Sequence, residues 1–170
     1  MIRVIGLLLV ALTGAGAGLC ASSMLHRRTA SLEAAGRLMR WLSTRIRYSA
    51  APVGELLLDA SQQQEFRALS FLGGAAQDIR EGIDPATAWS RSLAAGGKSG
   101  GFSRSDRELL DGFGSGLGKT DVEGQLSHCE LFGGLLEEHL QQARADAAAK
   151  GRLYTTLGVI GGAAFVLLML

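Results

Sequence analysis

At 170 residues the chain has the length of a single domain, and 17 Lys+Arg against 16 Asp+Glu leave it a formal net charge of +1. That balance supplies no global field to gather nucleic acid or an acidic substrate. Its two cysteines, Cys20 and Cys129, make no disulfide framework. An apolar share of 47% is near the soluble average, so the placement of those residues carries the information.

The first element is an uncharged run over 4–25, which as a helix would extend roughly 33 Å, enough to cross a hydrocarbon core of about 30 Å. A matching run over 153–170 would extend roughly 27 Å. Both read as transmembrane helices around a middle region, 26–152. Arg3, the apolar run and Ala15-Gly16-Ala17 also have the form of a secretory signal peptide, which would export residues 18–152. A lipoprotein reading of Cys20 is set aside, because Leu19 stands where a small residue is required. Charge flanks decide orientation: Arg27, Arg28, Arg37 and Arg40 follow the first run and Arg144, Lys150 and Arg152 precede the second, against Arg3 outside. The middle is therefore expected in the cytoplasm, with the last helix an anchor beyond which nothing is required.

The middle lacks strand alternation and reads as six helices, so the expected fold is all-α: a six-helix cytoplasmic bundle flanked by N- and C-terminal transmembrane helices. Helix one starts at the N-cap Thr29 and carries the stripe Leu32, Met39, Leu42, Ile46, ending near Ala50. Pro52 opens a short helix two, "PVGELLLDA". Helix three spans about 63–81 on Phe66, Leu69, Leu72, Ala76 and Ile79, and Gly82 stops it. Asp84 caps helix four, with Pro85 in the first turn and Trp89 and Leu93 on its apolar side. After the Gly-rich "GGKSGG", Ser105 with Glu108 and Thr120 with Glu123 read as capping boxes for helices five and six. On helix six, Val122, Leu126, Cys129, Gly133, Leu136, Leu140, Ala143 and Ala147 recur at steps of four and three, a seam for near-parallel packing. No proline interrupts it, so it is expected to continue into the last apolar run as a helix of about 50 residues.

Chemistry is sparse. "GGKS" fails as a phosphate loop, because Ser92 stands where the first glycine is needed and a helix precedes it. His128 and Cys129 are adjacent, hence about 100° apart on a helix, and His139 lies about 16 Å further along, so no metal or nucleophile constellation forms locally. No cofactor, metal, catalytic residue, nucleic acid or small-molecule substrate is expected. An integral-membrane enzyme would need ionisable residues inside the spans, and there are none. Gly14 with Gly18 and Gly158 with Gly162 form G-x-x-x-G pairs suited to close helix packing in lipid. Arg27, Arg28, Lys150 and Arg152 are expected to set topology at the lipid surface. Residues 27–47 hold six Arg against Glu33 alone, whereas 48–149 hold eight cations against fifteen carboxylates. The basic segment suits anionic headgroups, and the acidic remainder suits a basic partner.

"IRYSAAPVGELL", "AWSRSL", "LGKTDVEGQ" and "YTTLGVIGG", in this order between two terminal spans, resemble stage III sporulation protein AB across essentially the whole chain. The L-G-x-x-D-x-x-x-Q pattern of that family falls on Leu117, Gly118, Asp121 and Gln125, and its Y-x-x-P-V-x-E segment on Tyr48, Pro52 and Glu55 with slight variation. Together with Trp89 these are the candidate structural or interaction residues. The resemblance implies a part of a secretion-like complex in the mother-cell membrane around the forespore of endospore-forming bacteria. It also implies likeness to the cytoplasmic domains of type II secretion and type IV pilus platform proteins. By analogy the partners are a hexameric sporulation ATPase, other membrane subunits of the complex and the bilayer. The reading that follows is a non-enzymatic platform connecting the ATPase to channel subunits; the alternative is an exported or signal-anchored helical binding module.

Overall fold

The structure, a computed structural model, describes the backbone of residues 2–49, 51–96 and 100–169, and the side chains of 23–49, 51–96, 100–150 and 156. Among these residues there are six α-helices and no strand: α1 (Ile2–Tyr48), α2 (Val53–Gln62), α3 (Phe71–Arg80), α4 (Pro85–Gly96), α5 (Arg104–Ser115) and α6 (Val122–Met169), with a 3₁₀ turn at Gln64–Phe66. They divide into two compact units, one of residues 28–141 and one of residues 1–27 with 142–170.

The helix count matches expectation but the partition differs. α1 passes through Thr29 without a break, so Thr29 is no N-cap, and the apolar 4–25 run is the front of the same helix. α6 likewise is unbroken over 48 residues, close to the expected length. No helix among the described residues is long and apolar enough to cross a membrane. The side chains of most of 4–25 and 153–170, including the surroundings of Gly14, Gly18, Gly158 and Gly162 and the side chain of Arg152, lie outside the described residues.

Within the 28–141 unit, α2 packs on α3, α3 on α4 and α4 on α5. The helix-one stripe is buried as expected, with Leu32 and Leu42 fully so, and Arg37, Arg40 and Arg47 exposed. Helix three is shorter than predicted: Phe66 sits in the 3₁₀ turn and α3 begins only at Phe71. Its end is as expected, because Gly82 N–H bonds Ile79 O and Ile83 N–H bonds Asp78 O, the paired bonds of a Schellman ending. The seam of α6 holds at Cys129, Leu136, Leu140 and Ala143, but its first position slips: Val122 is 56% exposed and Gln125 is buried.

The centre is aromatic. Trp89 is completely buried and contacts Phe71 and Phe113 edge to face, at centroid distances of 4.8 and 5.4 Å. Its indole N–H donates to Leu110 O at 2.8 Å, reaching a carbonyl inside α5. That approach requires a glycine opposite: a Cβ at Gly114 would lie 2.6 Å from Trp89 Cγ and closer still to Cδ1. Trp89 is thus a core residue and offers no surface to a partner.

A buried carboxylate closes the start of α5. The predicted Ser105–Glu108 box is displaced by one built two residues earlier: Ser103 Oγ accepts from Asp106 N–H at 3.1 Å, and Asp106 Oδ2 accepts from Ser103 N–H at 2.8 Å. Ser105 and Glu108 are exposed, and Glu108 pairs with Arg104 instead. Asp106 has no exposed surface. Its carboxylate receives Arg28 Nε at 2.7 Å and Nη2 at 3.0 Å, and His139 Nδ1 at 2.7 Å. Arg28, expected to face lipid headgroups, therefore turns into the bundle; Arg27 is exposed. Burial alone would raise the Asp106 pKa, but the donors from Arg28, then His139, then Ser103, hold it well below the ordinary carboxylate range.

Gly114→Ala is expected to lower stability by about 3 kcal/mol through overlap with the indole. Gly73→Ala on α3, where a Cβ would meet nothing, should be neutral or stabilise by up to about 1 kcal/mol; thermal melts of the full chain separate the two. Asp106→Asn, which strips the charge from a buried pair, should cost about 3 kcal/mol. Because the folded pKa is depressed, the unfolded chain binds the proton more tightly. The contribution of Asp106 is thus complete above about pH 5 and declines as pH falls through about 4 and below. Melts between pH 7 and pH 3 should show that acid slope reduced in Asp106→Asn.

Candidate functional site

The two segments that carry the family-like motifs are some seventy residues apart and meet at one end of the 28–141 unit. α1 runs out at Tyr48 and the chain turns through Ser49, whose Oγ accepts from Ala51 N–H at 3.2 Å. Pro52, with φ −59° and ψ 146°, directs it into α2. Opposite this corner, α5 ends at Ser115 and a short connection leads to α6. Between them opens a cleft of about 560 Å³, lined by Ile46, Pro52, Gly54, Asp84, Pro85, Leu117, Lys119, Asp121, Val122 and Gln125 among others.

Gln125 organises the α5–α6 connection. Only 3% exposed, it donates from Nε2 to Gly116 O at 2.9 Å and Thr120 Oγ1 at 2.8 Å, and its Oε1 accepts from Gly118 N–H at 3.3 Å. Gly118 has φ +71°, a conformation L side chains rarely adopt. Leu117, 2% exposed, anchors the connection in the core. Asp121 is the cap of α6, accepting from Gly124 N–H at 2.9 Å through Oδ1. The expected Thr120–Glu123 box is thus one residue out of register, and Thr120 serves Gln125 instead. All four motif residues have structural work, and only Asp121 also presents an exposed carboxylate.

Asp84 caps α4 as predicted, accepting from Thr87 N–H at 3.0 Å. Its pKa is lowered by the Thr87 hydroxyl first and the Thr87 amide second, with a smaller attraction from Lys119. The rim of the cleft is apolar at Val122, 56% exposed, and the lining residue Ser49 is preceded in the chain by Tyr48, which is 82% exposed. Glu55 is exposed in the first turn of α2, where a carboxylate favours the helix dipole.

His128 and Cys129 are explained by packing. His128 donates from Nε2 to Phe113 O at 2.8 Å and stacks on the Phe113 ring at 5.1 Å. Cys129 is 3% exposed and burial pushes its thiol up to about 11, so it carries negligible thiolate at neutral pH. Among the described residues no group of three His, Cys, Asp or Glu is placed to hold a metal. Lys150 is exposed and pairs with Asp146 at 2.7 Å. The Arg28–Asp106–His139 cluster was missed from sequence, although S-x-x-D at 103–106 is a capping pattern that could have marked Asp106.

Gln125→Ala should cost about 2–3 kcal/mol by leaving buried backbone groups unpaired. Asp121→Ala should cost about 1 kcal/mol, the ordinary loss of an N-cap. Thermal melts of the two variants should rank them in that order.

No curated protein and no solved structure matches the chain. The family model for stage III sporulation protein AB matches residues 3–170. With nearly every residue covered, and with the motif positions of that family meeting at one corner of an all-α bundle, the chain belongs to the stage III sporulation protein AB family.

Proposed function

We propose that this protein is a non-enzymatic platform of a sporulation complex, held in the mother-cell membrane by its two terminal apolar segments, with the helical unit in the cytoplasm. There it receives a protein partner at the cleft between the α1–α2 corner and the α5–α6 connection. The observation that carries this reading is the convergence of the two motif segments on one open cleft. Their buried members Leu117 and Gln125, with Gly118 in its positive-φ turn, build the corner, while Val122, Lys119 and Asp121 are left at its rim and Tyr48 is exposed next in the chain to the lining residue Ser49. An exposed valine among charged residues, with an exposed tyrosine next in the chain to the cleft lining, has the composition of a binding hot spot with a polar surround. The hexameric sporulation ATPase is the partner that the family analogy suggests, and channel subunits are the other side of the link. The cleft lies at the end of its unit where α1 stops, about 30 Å along that helix from Arg28.

Membrane topology is tested with Lys98→Cys and a cysteine appended after Leu170, in a chain lacking Cys20 and Cys129, labelled in intact cells by an impermeant maleimide. Protection at 98 with labelling beyond 170 supports the cytoplasmic platform, and labelling at 98 supports an exported module instead. Docking is tested by binding of the ATPase to full-length chain in lipid nanodiscs. Tyr48→Ala and Val122→Ser should each weaken binding about tenfold or more. Their melting temperatures should hold, because exposed side chains away from special features contribute within about 0.5 kcal/mol. Unchanged affinity in both variants would remove the cleft as the docking site.

A further inference from the structure

Away from the cleft, a second concavity of about 620 Å³ runs between α1 and α6. The two helices are antiparallel here: Arg28 and His139 share Asp106, the Met39 Cβ lies 4.0 Å from where a Gly133 Cβ would stand, and Ile46 and Gln125 line one cleft. The floor of the groove is Met39, Leu126, Cys129 and Gly133. Gly133 keeps it open at the middle, since no side chain fills that point.

The walls carry opposite charge. On α1 they are Arg40 and Arg47, and on α6 Glu130 and Glu137; all four are exposed. Each pair is seven residues apart, about two helical turns or roughly 10 Å, so both walls have the same charge spacing. Side chains lean toward the N-terminus of their own helix. In an antiparallel pair this brings Arg40 toward the level of Glu137 and Arg47 toward that of Glu130. Yet among the described residues no ion pair crosses the groove; Glu137 accepts instead from Gln141 on its own helix, at 2.7 Å. The walls match in level and sign and are held apart by the groove between them.

We propose that this groove is a self-association surface whose occupant is a second copy of the chain, related by a two-fold axis parallel to α1 and α6. Such an axis preserves height along the helices and exchanges left with right. The basic wall of each copy therefore faces the acidic wall of the other, with Arg40 opposite the partner's Glu137 and Arg47 opposite the partner's Glu130. A two-fold axis across the helices is disfavoured because it sets arginines against arginines. The parallel axis also brings residues 28 and 141 of both copies to the same end, as two chains anchored in one bilayer require; the charge pairing itself does not depend on that anchoring.

The test is sedimentation of the full chain in mild detergent over a concentration series, with a far-UV melt to verify that each variant folds. The wild type should dimerise. Arg40→Glu and Glu137→Arg, each placing two like-charge pairs in a homodimer, should weaken dimerisation about tenfold or more. An equimolar mixture of the two variants should restore it, because each acidic wall then meets a basic one again. Arg40→Lys should keep most of the association. A wild type that stays monomeric throughout overturns the proposal. So does a dimer indifferent to both reversals, which would place association elsewhere, or a mixture that fails to recover.

Discussion

The helical unit depends first on one buried negative charge. Asp106 is wholly withdrawn from water, a position tenable only because donors arrive from three helices: Ser103 at the start of α5, Arg28 from α1 and His139 from α6. A buried carboxylate without such partners costs several kcal/mol. The requirement to satisfy it therefore specifies how α1 and α6 approach the start of α5 more sharply than apolar contact could. Apolar surface is non-directional, whereas a bidentate guanidinium and an imidazole must arrive in particular orientations.

Around that clamp, the core is organised by close approach. Trp89 reaches a carbonyl within α5 because Gly114 leaves the helix surface bare, and Phe71, Phe102 and Phe113 extend an aromatic layer from this point. Phe113 in turn carries His128 and Phe132 of α6. One small residue in α5 thus determines where α4 sits, and the ring behind it determines where α6 sits. At the far end, the α5–α6 connection is held by the buried amide of Gln125, a polar brace for backbone groups that have no helical partner.

These constraints leave two surfaces open to partners: the cleft rim at Val122, with Tyr48 exposed next to the lining Ser49, and the charged groove between α1 and α6. The family motif serves mainly to shape the corner beneath the first. Its proposed docking role follows from what that corner leaves exposed, not from the motif side chains themselves. The charge contrast between residues 27–47 and the remainder takes on a local meaning in the same way. It becomes two facing walls with equal spacing, a pattern that favours a partner carrying its mirror, which a second copy supplies.

Much of this architecture was legible in the sequence. Helix existence, the α1 stripe, the Asp84–Pro85 start, the Gly82 stop and the seam on α6 from Cys129 onward follow from local rules, because a 3.6-residue period and capping chemistry act over a few positions. The family likeness was also legible at Leu117, Gly118, Asp121 and Gln125. What sequence alone left open were choices among neighbouring candidates of equal local merit. Asp121 rather than Thr120 became a cap because Thr120 serves Gln125, and Ser103 rather than Ser105 because its box partner Asp106 is the carboxylate that Arg28 and His139 hold in place. Arg28 turned inward rather than toward lipid for the same reason. The Asp106 clamp joins residues 33 and 78 positions apart, and only the tertiary structure brings such partners into reach.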